Sequence, residues 1–181
     1  MKNYKVLTLN PGSTSTKIAL FEGEECLYSK NVSHDAGELE KFASLSEQLP
    51  YRRDMILSLL KEANVSLEDV DVFVGRGGGL LAMEGGTYEV TDLMLDHAKN
   101  CANGVIHPAS LGPQLAREFA EQYGAKAMVV NPPDVGVGQC LHGDVHVVLV
   151  FQPVLQHFQL QNAHHADDDF LHTGAQVAED L

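Results

Sequence analysis

The chain has 181 residues, 44% of them apolar, and a formal net charge of −13, a length that supports one domain with a real core or one and a half small ones. The negative balance argues against a nucleic-acid or anionic-membrane partner, because a phosphate polymer would be repelled. An anionic small substrate would then need a local basic pocket, which draws attention to individual Arg and Lys residues.

Tyr4 to Leu9, Thr16 to Phe21 and Cys26 to Val32 read as three strands. Glu22-Gly23-Glu24 makes a tight turn between the last two, giving an antiparallel meander. Leu49 to Ala63 has helical spacing, with Met55, Ile56, Leu59, Leu60 and Ala63 as the buried stripe and Asn64 as the stop. Val70 to Val74 reads as a buried strand running into a glycine loop, and Thr87 to Val90 as a short strand. Thr91 is placed to cap a helix through Asn100, since its hydroxyl can accept an orphan N–H of the first turn. Ser110 to Tyr123 is predicted as a helix with apolar positions Leu111, Leu115, Phe119 and Ala120, ended by Gly124. Ala127 to Val130 is a buried strand leading into Asn131-Pro132-Pro133. The order predicts an α/β domain with both antiparallel and parallel pairings.

Four stretches can carry chemistry. Asn10-Pro11-Gly12-Ser13-Thr14-Ser15-Thr16-Lys17 gathers backbone N–H groups, hydroxyls and one cation into a turn, a set suited to phosphate oxygens. The same composition also makes an ordinary hairpin turn. Gly75-Arg76-Gly77-Gly78-Gly79 follows a buried strand, where glycines let the backbone approach a ligand and Arg76 can fork onto a carboxylate or phosphate; a solvated surface loop is the alternative. His107, at the start of a helix, can neutralise or hydrogen-bond an anion, or be an ordinary histidine at a helix start. Asn131-Pro132-Pro133-Asp134 places an acid near a strand end, or is a rigid proline turn.

Together, in this order and at these intervals, the stretches resemble the acetokinase family. The resemblance lies in Leu9 to Ile18, Val74 to Gly78, Glu84 to Val90 and His107 to Gly112, and covers about residues 4 to 133. It implies an actin-like ATPase, ribonuclease-H-like domain with a mixed sheet and flanking helices, followed by an unassigned tail. It also implies ATP-dependent phosphorylation of a short or branched carboxylate, butyrate being the nearest type, with ATP and Mg2+ as cofactors. Carried over by position, Asn10 resembles the magnesium- or phosphate-side asparagine. Gly12, Ser13 and Ser15 belong to the phosphate path, Lys17 resembles the nucleotide-side lysine, Arg76 the carboxylate-holding arginine, and His107 the pocket histidine. The implied partners are the small carboxylate and the nucleotide, with no nucleic acid and no membrane; a homo-oligomer stays open. Where the family has an acid after the last strand, this chain has Asn131, with Asp134 three residues on. The family's second domain, with its glycine-rich phosphate and adenosine loops, has no counterpart here. A domain left without it would expose apolar surface, so association or low solubility is expected.

Composition changes near residue 134, dividing the chain into 1–133 and 134–181. All 12 Lys and Arg lie at or before Lys126, whereas six of the 9 His follow Pro133. Mixed charge ordinarily keeps a surface soluble, so the later segment reads as frame-shifted or disordered. His157, His164, His165 and His172 with Asp167 to Asp169 offer metal donors but no standard ligand spacing. Cys26, Cys101 and Cys140 are scattered and form no C-x-x-C pair, so neither a disulfide framework nor a zinc site is indicated. The run Val145 to Leu155 is too short to span a bilayer, and the residues before Asn10 are too few for a signal peptide. A reduced cytoplasm is the simplest compartment. A domain that binds an anion or a partner without turnover is the alternative to an enzyme.

Overall fold

The computed structural model describes residues 3–83 and 85–130. The amino-terminal meander forms where predicted, as β1 (Lys5–Pro11), β2 (Ser15–Glu22) and β3 (Glu25–Ser33), with antiparallel pairing throughout. Gly23 adopts φ 59° in the β2–β3 turn, a left-handed conformation that glycine takes without a Cβ penalty. A one-turn helix, α1 (Ala36–Leu39), was not anticipated; the Asp35 carboxylate caps it by accepting the Glu38 N–H at 3.1 Å.

Helix α2 (Gln48–Glu62) buries Arg52, Ile56 and Leu60, a stripe at i, i+4, i+8. This corrects the predicted face. Ala63 is exposed, and Met55 and Leu59 are only half-buried. Apolar spacing alone tilts the stripe toward 55, 59 and 63, because the residue at its head is an arginine. Asn64 ends the helix with φ 54°.

The second half supplies β4 (Val72–Arg76), β5 (Thr87–Glu89), α3 (Asp92–Asn100), a 3-10 turn (Pro108–Ser110), α4 (Leu111–Tyr123) and β6 (Lys126–Val130). The Thr91 hydroxyl accepts the Met94 N–H at 3.3 Å, as its predicted capping role requires. Gly124 closes α4 with φ 69°.

The sheet order is β3-β2-β1-β4-β6-β5. β4 pairs parallel with both β1 and β6, and β5 runs antiparallel at the edge. An antiparallel meander extended by parallel strands, with helices packed against the sheet, is the mixed ribonuclease-H-like arrangement. Strand alternation sorts the core into two faces. Leu7, Leu9, Ile18, Leu20, Phe73 and Val129 pack with α2, α3 and α4. Val6, Ala19, Phe21, Val72, Val74, Met128 and Val130 form a second cluster on the other face. Phe73 and Phe119 stack with ring centroids 5.6 Å apart; both are fully buried, and each contributes about 1.5–3 kcal/mol through burial.

β4 and α4 pack backbone to backbone. A Cβ on Gly75 would lie 2.2 Å from the Gly112 carbonyl oxygen, and a Cβ on Gly112 would lie 2.2 Å from that of Arg76. Backbone meets backbone here, which draws the start of α4 onto the carboxyl end of β4.

Candidate active site

The parallel strands β1 and β4 end on the same side of the sheet, where α/β folds place their ligands. Asn10 and Lys17 are directly opposite each other in the β1–β2 ladder. Both follow the alternation of the second cluster, as does Arg76 after Val72 and Val74. Three predicted site residues thus share one face of the sheet at one end.

Arg76 and His107 line a single cavity of about 280 Å³, with Gly78, Gly79, Asn103, Val105 and Ala109. A larger, more open groove of about 580 Å³ lies at the other end of the strands, around Lys5, Glu22, Asp71 and Lys126; it holds none of the predicted residues. The glycines of the Arg76 motif have a task beyond the one expected. A Cβ on Gly78 would meet the Ala109 carbonyl carbon at 2.6 Å. Gly75 and Gly78 therefore admit the protein's own helix start, while Gly78 and Gly79 also line the cavity.

His107 caps the 3-10 turn: its Nδ1 accepts the Ala109 N–H at 3.1 Å. In the neutral ring the proton then sits on Nε2, leaving a donor for the cavity. Burial holds the His107 pKa below its ordinary value, and the charges of Arg76 and Arg52 push it the same way. Of its two predicted roles, hydrogen-bond donor fits this environment and standing cation does not.

The hairpin is tightly organised. The Gly12 N–H donates to the Ser15 carbonyl at 2.7 Å, and the His34 N–H donates to the Thr14 carbonyl at 2.8 Å. Both carbonyls are thereby engaged, while Ser13 and Thr14 stay exposed. Among the described residues, the N–H groups of Ser13 and Thr14 and the side chains of Asn10, Ser13, Ser15 and Lys17 have no hydrogen-bond partner. Oriented N–H groups of this kind make an anion-binding concavity.

Behind the hairpin lies a buried polar network that the sequence did not disclose. Arg52 is 0% exposed. One of its terminal nitrogens donates to Thr16 Oγ1 at 2.9 Å and to the Ser15 carbonyl at 3.3 Å. Nε and the other terminal nitrogen donate to Gln48 Oε1 at 3.2 and 3.0 Å. Thr16 Oγ1 is 2.8 Å from His34 Nε2, and His34 Nδ1 is 3.4 Å from the Tyr51 hydroxyl. Thr16 Oγ1 accepts from Arg52 and still has a proton that can go to His34 Nε2, which leaves Nδ1–H to face Tyr51 in that tautomer. The visible signal was an Arg at a buried-stripe position, four residues after Gln48 and four before Ile56.

Burial, followed by the charge of Arg52, lowers the His34 pKa to about 4. The ring is neutral in the fold, whereas an unfolded histidine titrates near 6.5. The unfolded chain therefore binds the extra proton as pH falls, and stability is lost between about pH 6.5 and 4. At about 1.4 kcal/mol per unit the His34 contribution is about 3 kcal/mol. His34→Gln retains an acceptor for Thr16 and removes this titration. Urea unfolding at pH 7 and pH 4 is expected to show a smaller acid loss in the variant; equal losses would refute the assignment.

The described residues do not build a magnesium site. No group of three His, Cys, Asp or Glu side chains converges among them, and Asn10 is a neutral amide, whereas protein-bound magnesium relies on carboxylates together with phosphates and water. No step below is routed through a metal. The predicted donors Asn131 to Asp134 and the histidines from His157 to His172 lie outside the described residues, as does Glu84. No described helix is long and apolar enough to cross a membrane.

Known proteins of similar sequence include butyrate kinases. Butyrate kinase 2 of Clostridium acetobutylicum is 43% identical over 129 residues, covering 71% of this chain and 36% of that protein. Over this region the chain is similar to butyrate kinases. A probable butyrate kinase of Elusimicrobium minutum is 39% identical over 131 residues, covering 71% and 35% respectively. The acetate kinase structure from Porphyromonas gingivalis matches at 20% identity with a TM-score of 0.43, covering 70% of this chain and 37% of that one. No protein-family model matches the chain. The chain thus spans about a third of the length of the butyrate kinases it matches.

Proposed function

We propose that residues 1–133 are the amino-terminal domain of an ATP-dependent carboxylate kinase acting on butyrate or a related short acid, and that 134–181 are a separate segment. The observation that carries this reading is the meeting of Arg76 and His107 in one small cavity beside the Asn10–Lys17 hairpin. The cavity is below the usual 300–1,000 Å³ of ligand pockets, which favours a small acid. Arg76 has no ion pair among the described residues and presents two parallel donors to a carboxylate. His107 adds the Nε2 proton. Val105 and Ala109 supply an apolar wall for the acyl chain. The hairpin N–H groups, the Ser13 and Ser15 hydroxyls and Lys17 hold the phosphate side.

The carboxylate is already a nucleophile and needs no strong base. Its oxygen forms the new O–P bond in line as the bond from the γ-phosphorus to ADP breaks. The work of these residues is positioning and charge neutralisation. Butyryl phosphate formation from ATP and butyrate, in this chain and in a chain extended by a butyrate-kinase second domain, tests the proposal. Activity is expected in the extended chain. Silence there, with phosphate still bound, would leave an anion-binding domain without turnover.

A further inference from the structure

Two of the four arginines, Arg53 and Arg117, pair with acids. Arg52 and Arg76 have no carboxylate partner among the described residues. For Arg76 this is simple, since it is half-exposed in a cavity. For Arg52 it is costly. A guanidinium stays protonated in proteins, and an ion removed from water without a counter-ion loses several kcal/mol of solvation. Its bonds go to neutral acceptors only: Gln48 Oε1, the Ser15 carbonyl and Thr16 Oγ1. Well-packed apolar side chains would stabilise the fold more cheaply.

Those bonds also do something specific to the hairpin. They fix the Ser15 carbonyl inward, where its negative end cannot oppose an anion. They leave a full positive charge directly behind the turn. We infer that Arg52 is a positioning residue for the phosphate hairpin, a buried charge whose missing counter-charge is supplied by the anion bound at Ser13 to Ser15. The inference rests on the carboxylate-kinase reading for the identity of that anion, but not for the charge itself. After burial and the Arg76 charge, the Arg52 charge also lowers the His107 pKa.

The test uses Arg52→Met and Arg52→Lys in the 181-residue chain. Two quantities are read: the His107 titration, by imidazole carbon–proton NMR, and the affinity for inorganic phosphate. In Arg52→Met the His107 pKa is expected to rise toward its ordinary value. Phosphate affinity is expected to fall about tenfold, the scale of one nearby charge in a protein environment. Arg52→Lys keeps the charge but not the guanidinium's bonds to Ser15 and Thr16, and is expected to keep the His107 titration near wild type. An unchanged His107 titration and phosphate affinity in folded Arg52→Met would overturn the inference, leaving Arg52 as packing. So would wild-type protein that binds no phosphate at millimolar concentration. If Arg52→Met does not fold, Arg52→Lys decides: a risen His107 pKa in that folded, charge-retaining variant refutes the idea. An extended chain without kinase activity, but with the His107 and phosphate responses intact, would reject the kinase reading and leave this one standing.

Discussion

Gly75→Ala is expected to destabilise the domain by about 3 kcal/mol or more, the upper end of what overpacking costs. The added methyl group would overlap the Gly112 carbonyl at 2.2 Å and the Pro113 nitrogen at 2.8 Å. Both are backbone atoms, so no rotamer change relieves the clash. Either α4 lifts from β4 or the strand bends. Either response separates Arg76 from His107 and loosens the contact of Phe73 with Phe119. Gly104→Ala is the control, because Gly104 has φ 78° but nothing within 4 Å of its would-be Cβ. It reports left-handed backbone strain alone, about 1 kcal/mol. Urea unfolding midpoints for the two variants separate collision from strain. A Gly75→Ala protein as stable as Gly104→Ala would show that the contact yields easily and that the site does not depend on it.

The second large effect is at Arg76. In a chain extended by a second domain, Arg76→Ala is expected to lower kcat/KM for the carboxylate by about 10²–10³, the usual cost of losing a principal charge-stabilising donor. Arg76→Lys is expected to recover little, because an ammonium cannot make the paired, planar contact of a guanidinium. A separate readout needs no turnover. Removing the Arg76 charge relieves His107, so its pKa is expected to rise in the 181-residue chain as well. A kinetic loss fully restored by lysine would mean that Arg76 acts as a point charge.

Every strand and the three longer helices were visible in the sequence. Their signals are local: alternation in β1 and β2, the Thr91 cap, the glycine after α4. The motif residues Arg76 and His107 were legible for a similar reason, since each stands next to a structural punctuation mark. What escaped has a common cause. α1 is a single turn, too short for periodicity to register. Arg52, His34, Gln48 and Tyr51 meet only after α2 folds back behind the β1–β2 hairpin, and no spacing in the chain announces a contact between residues 16, 34 and 52. The apolar pattern even pointed away from Arg52, because it treats a charge as a mark of the outer face. The glycines at the end of β4 were noticed, but their second neighbour, the start of α4, was not. Sequence shows that a backbone must come close to something; only the fold shows that the something is α4.

The assignment of Asn10, Lys17 and Arg76 to one side of the sheet has a consequence for chain-length variation. Each is a matter of parity: an odd step along the strand exchanges it with a core residue. A single-residue insertion early in Lys5–Pro11 would exchange the faces of Leu9 and Asn10, turning Asn10 into the helix-covered interior along with every strand residue beyond the insertion. The same insertion between Gly12 and Thr14 would lengthen an exposed turn and leave both strands in register. Tolerance to insertion is therefore expected to change abruptly at Pro11, from none to appreciable within two residues, along a stretch whose composition gives no hint of the border.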